Sequence, residues 1–280
     1  MNQLLRAELL RRLTSIIYIG EMIVLVVSHI LEILGAAYGF EVDIPYFLFG
    51  KTTLICIFVS VNAVLKVSQE LDNRTINNKL FCGYHKSTFY KTEILVGIIE
   101  GELLLLVDTI SVVFLGMLKK YELKISCMDL FVNFAITGMI ILTVAVISTM
   151  LSMLLHNRIF SVFVVVGFTF LLLYGGKQTV HTLTQPAQTT LYSMDGAIRD
   201  NPLYVKGTKR TMHNVHLFSS PYAQANYASY LLHEEGTEKG DNSLILKNGP
   251  YHLEFFISDI LEGIFMYLLG GYLFYKRNLQ

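Results

Sequence analysis

Charge is scarce in this sequence. Of its 280 residues, 16% are Asp, Glu, Lys or Arg and 53% are hydrophobic, and the formal net charge is zero. So little charge does not suit an ordinary soluble domain, and a zero balance gives no bulk electrostatic ground for binding nucleic acid. Cysteine is equally sparse: Cys56 lies in an apolar run, Cys82 in a polar segment and Cys127 at a predicted helix start. None has a partner at metal-ligand or thiol-exchange spacing, so neither a disulfide framework nor a metal site is expected. No His-Glu-x-x-His motif and no serine-centred arrangement stands in the apolar stretches, which argues against an intramembrane peptidase and leaves no catalytic residue to assign. Segments of alternating hydrophobicity, the mark of a membrane β-barrel, are missing too.

What is abundant is long apolar sequence. A bilayer core about 30 Å thick takes roughly 20 helical residues. Six stretches meet or approach that length: Ser15–Gly35, Tyr46–Leu65, Glu93–Met117, Met128–Leu154, Ile159–Gly175 and Leu253–Tyr275. Backbone groups in lipid must bond within their own segment, so each is expected to be helical. The fold class is therefore all-α integral membrane, with six transmembrane helices. Residues 15–176 hold the first five, 177–252 form a large outer loop, and 253–280 carry the sixth and the C-terminus.

Orientation follows from basic residues near the helix ends. With a cytoplasmic N-terminus, Arg6, Arg11, Arg12, Lys66, Arg74, Lys79, Lys86, Lys91, Arg158, Lys276 and Arg277 fall inside. Only Lys119, Lys120 and Lys124 fall in the short outer loops, and the loop Glu41–Pro45 is acidic. Both termini are thus expected in the cytoplasm. The first apolar run is too long for a cleaved signal peptide and lacks a clear small-residue cleavage site. Residues 1–14 place Leu4, Leu5, Leu9 and Leu13 on one stripe, with Arg6, Arg11 and Arg12 towards the other side. That pattern suits a helix lying along the inner membrane surface with its arginines at anionic headgroups; a simple extension of the first span is the alternative.

Between the second and third spans, residues 67–92 read VSQELDNRTINNKLFCGYHKSTFYKT, too rich in Leu, Ile, Phe and Tyr for a disordered linker. The spacing predicts a short helix over Thr75–Phe81 ended by Gly83. Held between two membrane helices, it would serve as a lever for a soluble partner, or simply connect them.

The residues Glu70, Arg74, Thr75, Ile76, Asn78, Lys79, Leu80, Gly83, Phe89 and Tyr90 resemble the cytoplasmic motif of ABC-2-type transporter permeases, especially those of Firmicutes. Asn201, Pro202, Tyr204, Val205, Gly207, Arg210, Pro221, Gln224 and Ala225 give a second match, and the closing GYLFYKRN (Gly271–Asn278) a third. Ala223 departs from the pattern, where related sequences often have Gly. The middle helices match by layout only. The resemblance implies six helices, an interfacial N-terminal helix, a cytoplasmic coupling helix at about Thr75–Phe81, a second permease chain as partner, and a separate ATPase that binds ATP and Mg. Glu70, Arg74, Thr75, Ile76, Lys79 and Gly83 would then be coupling residues. This chain itself would bind no cofactor and hydrolyse nothing.

A nucleotide site should accordingly be absent. Phe49–Thr53 reads FGKTT, like the end of a phosphate-binding loop, but Pro45 stands where the first glycine is required and no strand precedes it. The glycosylation-type triplet Asn73-Arg74-Thr75 falls on the cytoplasmic side. His213 and His216 lie at helical spacing in the outer loop without a clear third ligand.

That loop, residues 177–252, is far beyond the usual connection length and holds Pro186, Pro202, Pro221 and Pro250. Ser220-Pro221 predicts a helix running to Leu232, and Glu234–Asn242 is a charged stretch. The loop reads as a small cap over the exit of a pathway, either gating release or only stabilising the dimer.

Acidic residues inside the spans are the least expected feature. Span one carries Glu21, His29 and Glu32; span three Glu100, Glu102 and Asp108; span six Asp259 and Glu262. Charges at membrane depth must face protein or water. The only basic residue evident within a span is Lys51, within reach of Asp108 in this reading. Two explanations stand side by side. The acids bridge helices or sit near helix ends, or else Glu32, His29, Glu100, Asp108, Asp259 and Glu262 line a wet, negative transport path. The second would suit a cationic or amphipathic substrate such as an antimicrobial or toxic peptide. The expected function is thus the permease subunit of a bacterial ABC exporter in the plasma membrane. A membrane sensor with the outer loop as receptor, or a proton-coupled secondary transporter, are the alternatives; the lack of an internal repeat weighs against the latter.

Overall fold

The computed structural model describes residues 2–35, 44–73, 75–123, 125–155, 157–189, 198–232 and 252–276. Within them the chain is helical almost throughout. The short helix α1 (Asn2–Leu13) leads into α2 (Ile16–Gly35), followed by α3 (Thr52–Asp72), the seven-residue α4 (Thr75–Phe81), and α5 (Lys86–Leu118). Next come α6 (Cys127–Leu154), α7 (Arg158–Leu183), the two-residue strands β1 (Gln188–Thr189) and β2 (Arg199–Asp200), α8 (Thr208–Phe218), α9 (Pro221–Tyr227) and α10 (His252–Lys276).

Four of these helices, α2, α3, α6 and α7, are long and apolar enough to cross a membrane by length and composition. Helices α5 and α10 have 33 and 25 residues and carry acidic side chains in their middle turns. Large apolar side chains stand exposed along the helices, Ile23, Leu31, Phe163, Leu171, Leu261 and Phe265 among them. Such a surface suits lipid and not water.

Helix α6 is the centre of the bundle. Nearly every residue from Ile136 to Met153 is buried, and α3, α5 and α10 pack around it. With lipid outside, apolar burial drives little helix association, so close packing and polar contacts matter more. Ser60 Oγ of α3 and Ser148 Oγ of α6 lie 2.8 Å apart, and Thr143 Oγ1 donates to the Asp259 carbonyl oxygen at 3.2 Å. Helix α6 starts at Ser126, whose hydroxyl accepts from Asp129 N, and α7 at Asn157, whose side chain accepts from Phe160 N; both are ordinary N-caps.

Helix boundaries depart from the apolar runs where tertiary contacts intervene. The second run was expected to be helical from Tyr46. Instead Ile44–Tyr46 forms a 3₁₀ turn, Phe49 adopts φ 60°, and α3 begins only at Thr52, whose hydroxyl donates to Phe49 O at 2.7 Å. At its other end α3 runs beyond Leu65 to Asp72, where Val67 and Glu70 are buried against neighbouring elements. Helix α7 likewise continues past Gly175 to Leu183, because α8 and α9 cover the extension.

The expected helix after Ser220 is present as α9 and a 3₁₀ continuation, Ala228–Leu232. Tyr222, Ala223, Gln224, Ala225, Tyr227 and Ala228 are all at most 3% exposed, and α9 packs against α7, α6 and α3. Gly176 permits this approach, since a Cβ there would lie 2.6 Å from Ala223 Cα. Asn226 Nδ2 donates to Leu173 O at 3.1 Å and locks the contact. The stretch Glu234–Asn242 lies outside the described residues.

Candidate functional site

The cytoplasmic motif of the sequence converges on a network of ion pairs. Helix α4 forms where expected, and Gly83 follows it with φ +91°, a left-handed backbone that favours glycine. Ile76 is buried with Val67, Phe89, Tyr90 and Ile94, which fixes α4 against α3 and α5. Lys79 Nζ donates to Glu70 at 2.8 Å and to Glu8 of α1 at 2.7 Å. It also lies 5.0 Å from the centre of the Phe89 ring. Thr75 Oγ1 donates to the Glu70 carbonyl oxygen at 3.0 Å. Arg11 bonds both Glu8 and Glu70. Burial alone would lower the Arg11 pKa; the Glu70 and Glu8 carboxylates outweigh it and hold it above its ordinary value. Glu70, Thr75, Ile76, Lys79 and Gly83 are therefore brought together, while Arg74 lies outside the described residues. At the tip of α4, Phe81 is 89% exposed.

The expectation that the α1 arginines face lipid headgroups does not hold for Arg11 and Arg12. Arg12 is 1% exposed and bonds Glu93 and Glu100 of α5, the latter at 3.0 Å. Two carboxylates seven residues apart share one face of a helix, so the receptor face for a cation was present in the sequence. Which cation would fill it depended on a contact between residues more than eighty positions apart. Carboxylate oxygens of Glu8, Glu70 and Glu93 lie within 4.8 Å of one another, close enough to hold a metal ion. Arg11, Arg12 and Lys79 already supply positive charge there, and the cluster is an ion-pair network.

Further along the same side of the bundle the acids are also matched. Asn62 Nδ2 of α3 donates to Glu21 at 2.8 Å. His29 Nε2 lies 2.7 Å from Asp108 Oδ1, both groups fully buried. Lys51, expected near Asp108, instead pairs with Glu32 at 2.5 Å, because the late start of α3 sets it beside α2. Glu32 is half-exposed and lies 3.7 Å from His29 Nδ1. Glu32, His29, Glu100 and Asp108 thus each meet a protein partner.

Asp259 and Glu262 stand apart, on α10, which packs against α6 and α5 while α2 packs against α5 and α1. Asp259 is 0% exposed, and neither of its carboxylate oxygens has a hydrogen-bond partner. Glu262 and Glu102 make no ion pair or side-chain hydrogen bond among the described residues. An open groove of about 450 Å³ runs between α5, α6 and α10 beside Asp259, with Lys91 and Tyr267 farther along it.

The outer-segment motif is a fastening. Asn201 Nδ2 donates to Pro186 O at 3.0 Å, its Oδ1 accepts from Leu203 N, and Arg210 donates to Leu183 O while lying over the Tyr204 ring. Gln224 donates to Phe218 O at 3.1 Å. His216 Nδ1 lies 2.7 Å and His213 Nδ1 3.4 Å from Thr179 Oγ1 of α7. Burial, and then nearby His213, lower the His216 pKa.

In comparison with known proteins, the chain matches no family model and no curated protein.

Proposed function

We propose that this chain is the permease subunit of a bacterial ABC exporter, spanning the plasma membrane six times with both termini in the cytoplasm. Helices α2, α3, α5, α6, α7 and α10 are the spans, and α4 is the coupling helix. A separate ATPase binds ATP and Mg, a second permease chain completes the pathway, and the cargo is an amphipathic or cationic compound such as an antimicrobial or toxic peptide.

The observation that carries this reading is the way α4 is held. A seven-residue helix cannot stand alone. Here Glu70, Lys79, Glu8 and Arg11 tie it to α3 and α1, and Arg12 ties α1 to α5. A push on α4 is transmitted to three further helices, through part-buried pairs to α1 and α3 and the buried Arg12 pairs to α5, which resist being pulled apart. Phe81 offers an apolar knob at the end of that lever. The six long helices and the resemblance in residues 70–90 support the same reading.

The test is co-purification from the native cell in mild detergent, with wild type compared with Phe81→Asp. Phe81 is too exposed for its loss to disturb the fold. The expected result is an accompanying ATPase whose retention drops in the variant. If wild type brings no ATPase, the exporter reading fails. A proton-coupled carrier then takes its place, favoured by the unpartnered acids on α5 and α10.

A further inference from the structure

The acids of this protein divide sharply by whether the protein answers them. Glu21, Glu32, Glu93, Glu100 and Asp108 each have a polar or basic partner. Glu102, Asp259 and Glu262 have none among the described residues, and all three surround one place. Asp259 forms part of the wall of the groove between α5, α6 and α10. Glu262 follows one turn later on α10. Glu102 lies one turn beyond the groove residue Ile98 on α5, with its carboxylate against Gly138, next to the groove residue Met139.

Apart from Asp259, Lys91 and Tyr267, the groove is apolar: Ile94, Ile98, Leu142, Val146 and Ile264 supply its surface. Gly263 also lines it, with α6 close by: a Cβ there would meet Thr143 Oγ1 at 3.6 Å. An apolar concavity with one or two placed polar groups is the usual form of a small-ligand site. An unanswered acid at membrane depth is costly to maintain and marks function by default. Neutral apolar ligands would leave Asp259 unsatisfied, and anions would be repelled by three carboxylates.

We infer that the groove between α5, α6 and α10 binds a lipophilic cation, with Asp259, buried in its wall, as the nearest negative charge and Glu262 and Glu102 adding negative potential from either side. The cation's apolar part lies against Ile94, Ile98, Leu142 and Val146. As a substrate site this rests on the exporter reading; as a binding site it does not, because binding requires no ATPase.

The test uses the full chain in nanodiscs of neutral phosphatidylcholine, with radiolabelled tetraphenylphosphonium as the probe and uncharged triphenylphosphine oxide as competitor. Wild type is expected to bind the cation saturably and to lose at least tenfold in affinity on Asp259→Asn. Ile264→Trp leaves every carboxylate in place and adds bulk at an exposed residue that lines the groove, so it should lose binding to a similar degree. The uncharged competitor should displace the probe poorly. The inference is overturned if wild type shows no saturable binding, if both variants bind as wild type does, or if the uncharged compound competes equally. Binding without a co-purifying ATPase would sink the exporter reading and keep the site. A co-purifying ATPase without binding would do the reverse.

Discussion

Two sides of the same helical bundle treat buried charge differently. Where α1, α2, α3 and α5 meet, the buried and half-buried carboxylates have answering groups: Arg12 for Glu93 and Glu100, Asn62 for Glu21, His29 for Asp108, Lys51 for Glu32. Where α5, α6 and α10 meet, Glu102, Asp259 and Glu262 have no such group among the described residues, and Asp259 lies in the wall of an open groove. Apolar sequence alone does not produce this division, because long apolar helices stand on both sides, α2 and α3 on the first and α6 on the second. The first side uses charge to fix helices to one another. The second leaves charge available for something outside the chain.

The comparison can be broken first at Arg12. Arg12→Ala leaves Glu93 and Glu100 buried and unanswered, and removal of one partner from a buried pair costs about 3–5 kcal/mol. A denaturation titration in detergent should show that loss, and Arg12→Met combined with Glu93→Gln and Glu100→Gln should recover most of it. No recovery would mean that the guanidinium matters for packing and not for charge.

A smaller loss is expected one step along the same side. His29→Ala leaves the Asp108 carboxylate without its only described partner, a cost of about 1–3 kcal/mol for an unsatisfied buried acceptor. The outermost pair should matter least. Lys51 and Glu32 are both partly exposed, so Lys51→Ala should change stability by about 0.2–1 kcal/mol, with the effect shrinking further in high salt.

The outer segment offers a pH-dependent counterpart. The His216 pKa lies below its ordinary value of about 6.5, so the folded state takes up a proton less readily than the unfolded state. Its contribution to stability is present above pH about 6.5 and declines as pH falls. Amide exchange in α8 should therefore quicken relative to α7 between pH 8 and pH 5.5. Replacing His213 with Ala should reduce the difference, since His213 is the second cause of the lowered value.

Much of the scaffold was readable from hydropathy. Each of the six apolar runs contributes most of its length to a long helix, though the second enters its helix only at Thr52, and Thr75–Phe81 with Gly83 appears as a short helix with a left-handed glycine after it. These are local signals: hydrophobic length, a glycine, a proline after a serine. What could not be read was pairing across the chain. Arg12 and Glu93 are eighty-one residues apart, and no local pattern announces that an arginine placed for lipid headgroups turns inward. The late start of α3 misplaced Lys51, and with it the expected partner of Asp108. The burial of α9 was hidden for a similar reason. Its sequence is amphipathic enough for a surface helix, and only the space left beside Gly176 draws it into the bundle. The acids themselves were legible as unusual; their division into answered and unanswered groups needed the packing.

The contrast between the two sides is tested most directly by neutralising one acid from each in the same preparation. Asp108→Asn and Asp259→Asn remove one negative charge apiece at unchanged size, and thermal unfolding of both is compared with wild type. The account predicts different outcomes: Asp108→Asn destabilises because it weakens the buried pair with His29, while Asp259→Asn leaves stability unchanged or raises it because no described protein group is paired with that charge. A loss at Asp259 as large as the loss at Asp108 would contradict the account, since it would mean that both sides use their carboxylates to hold the fold.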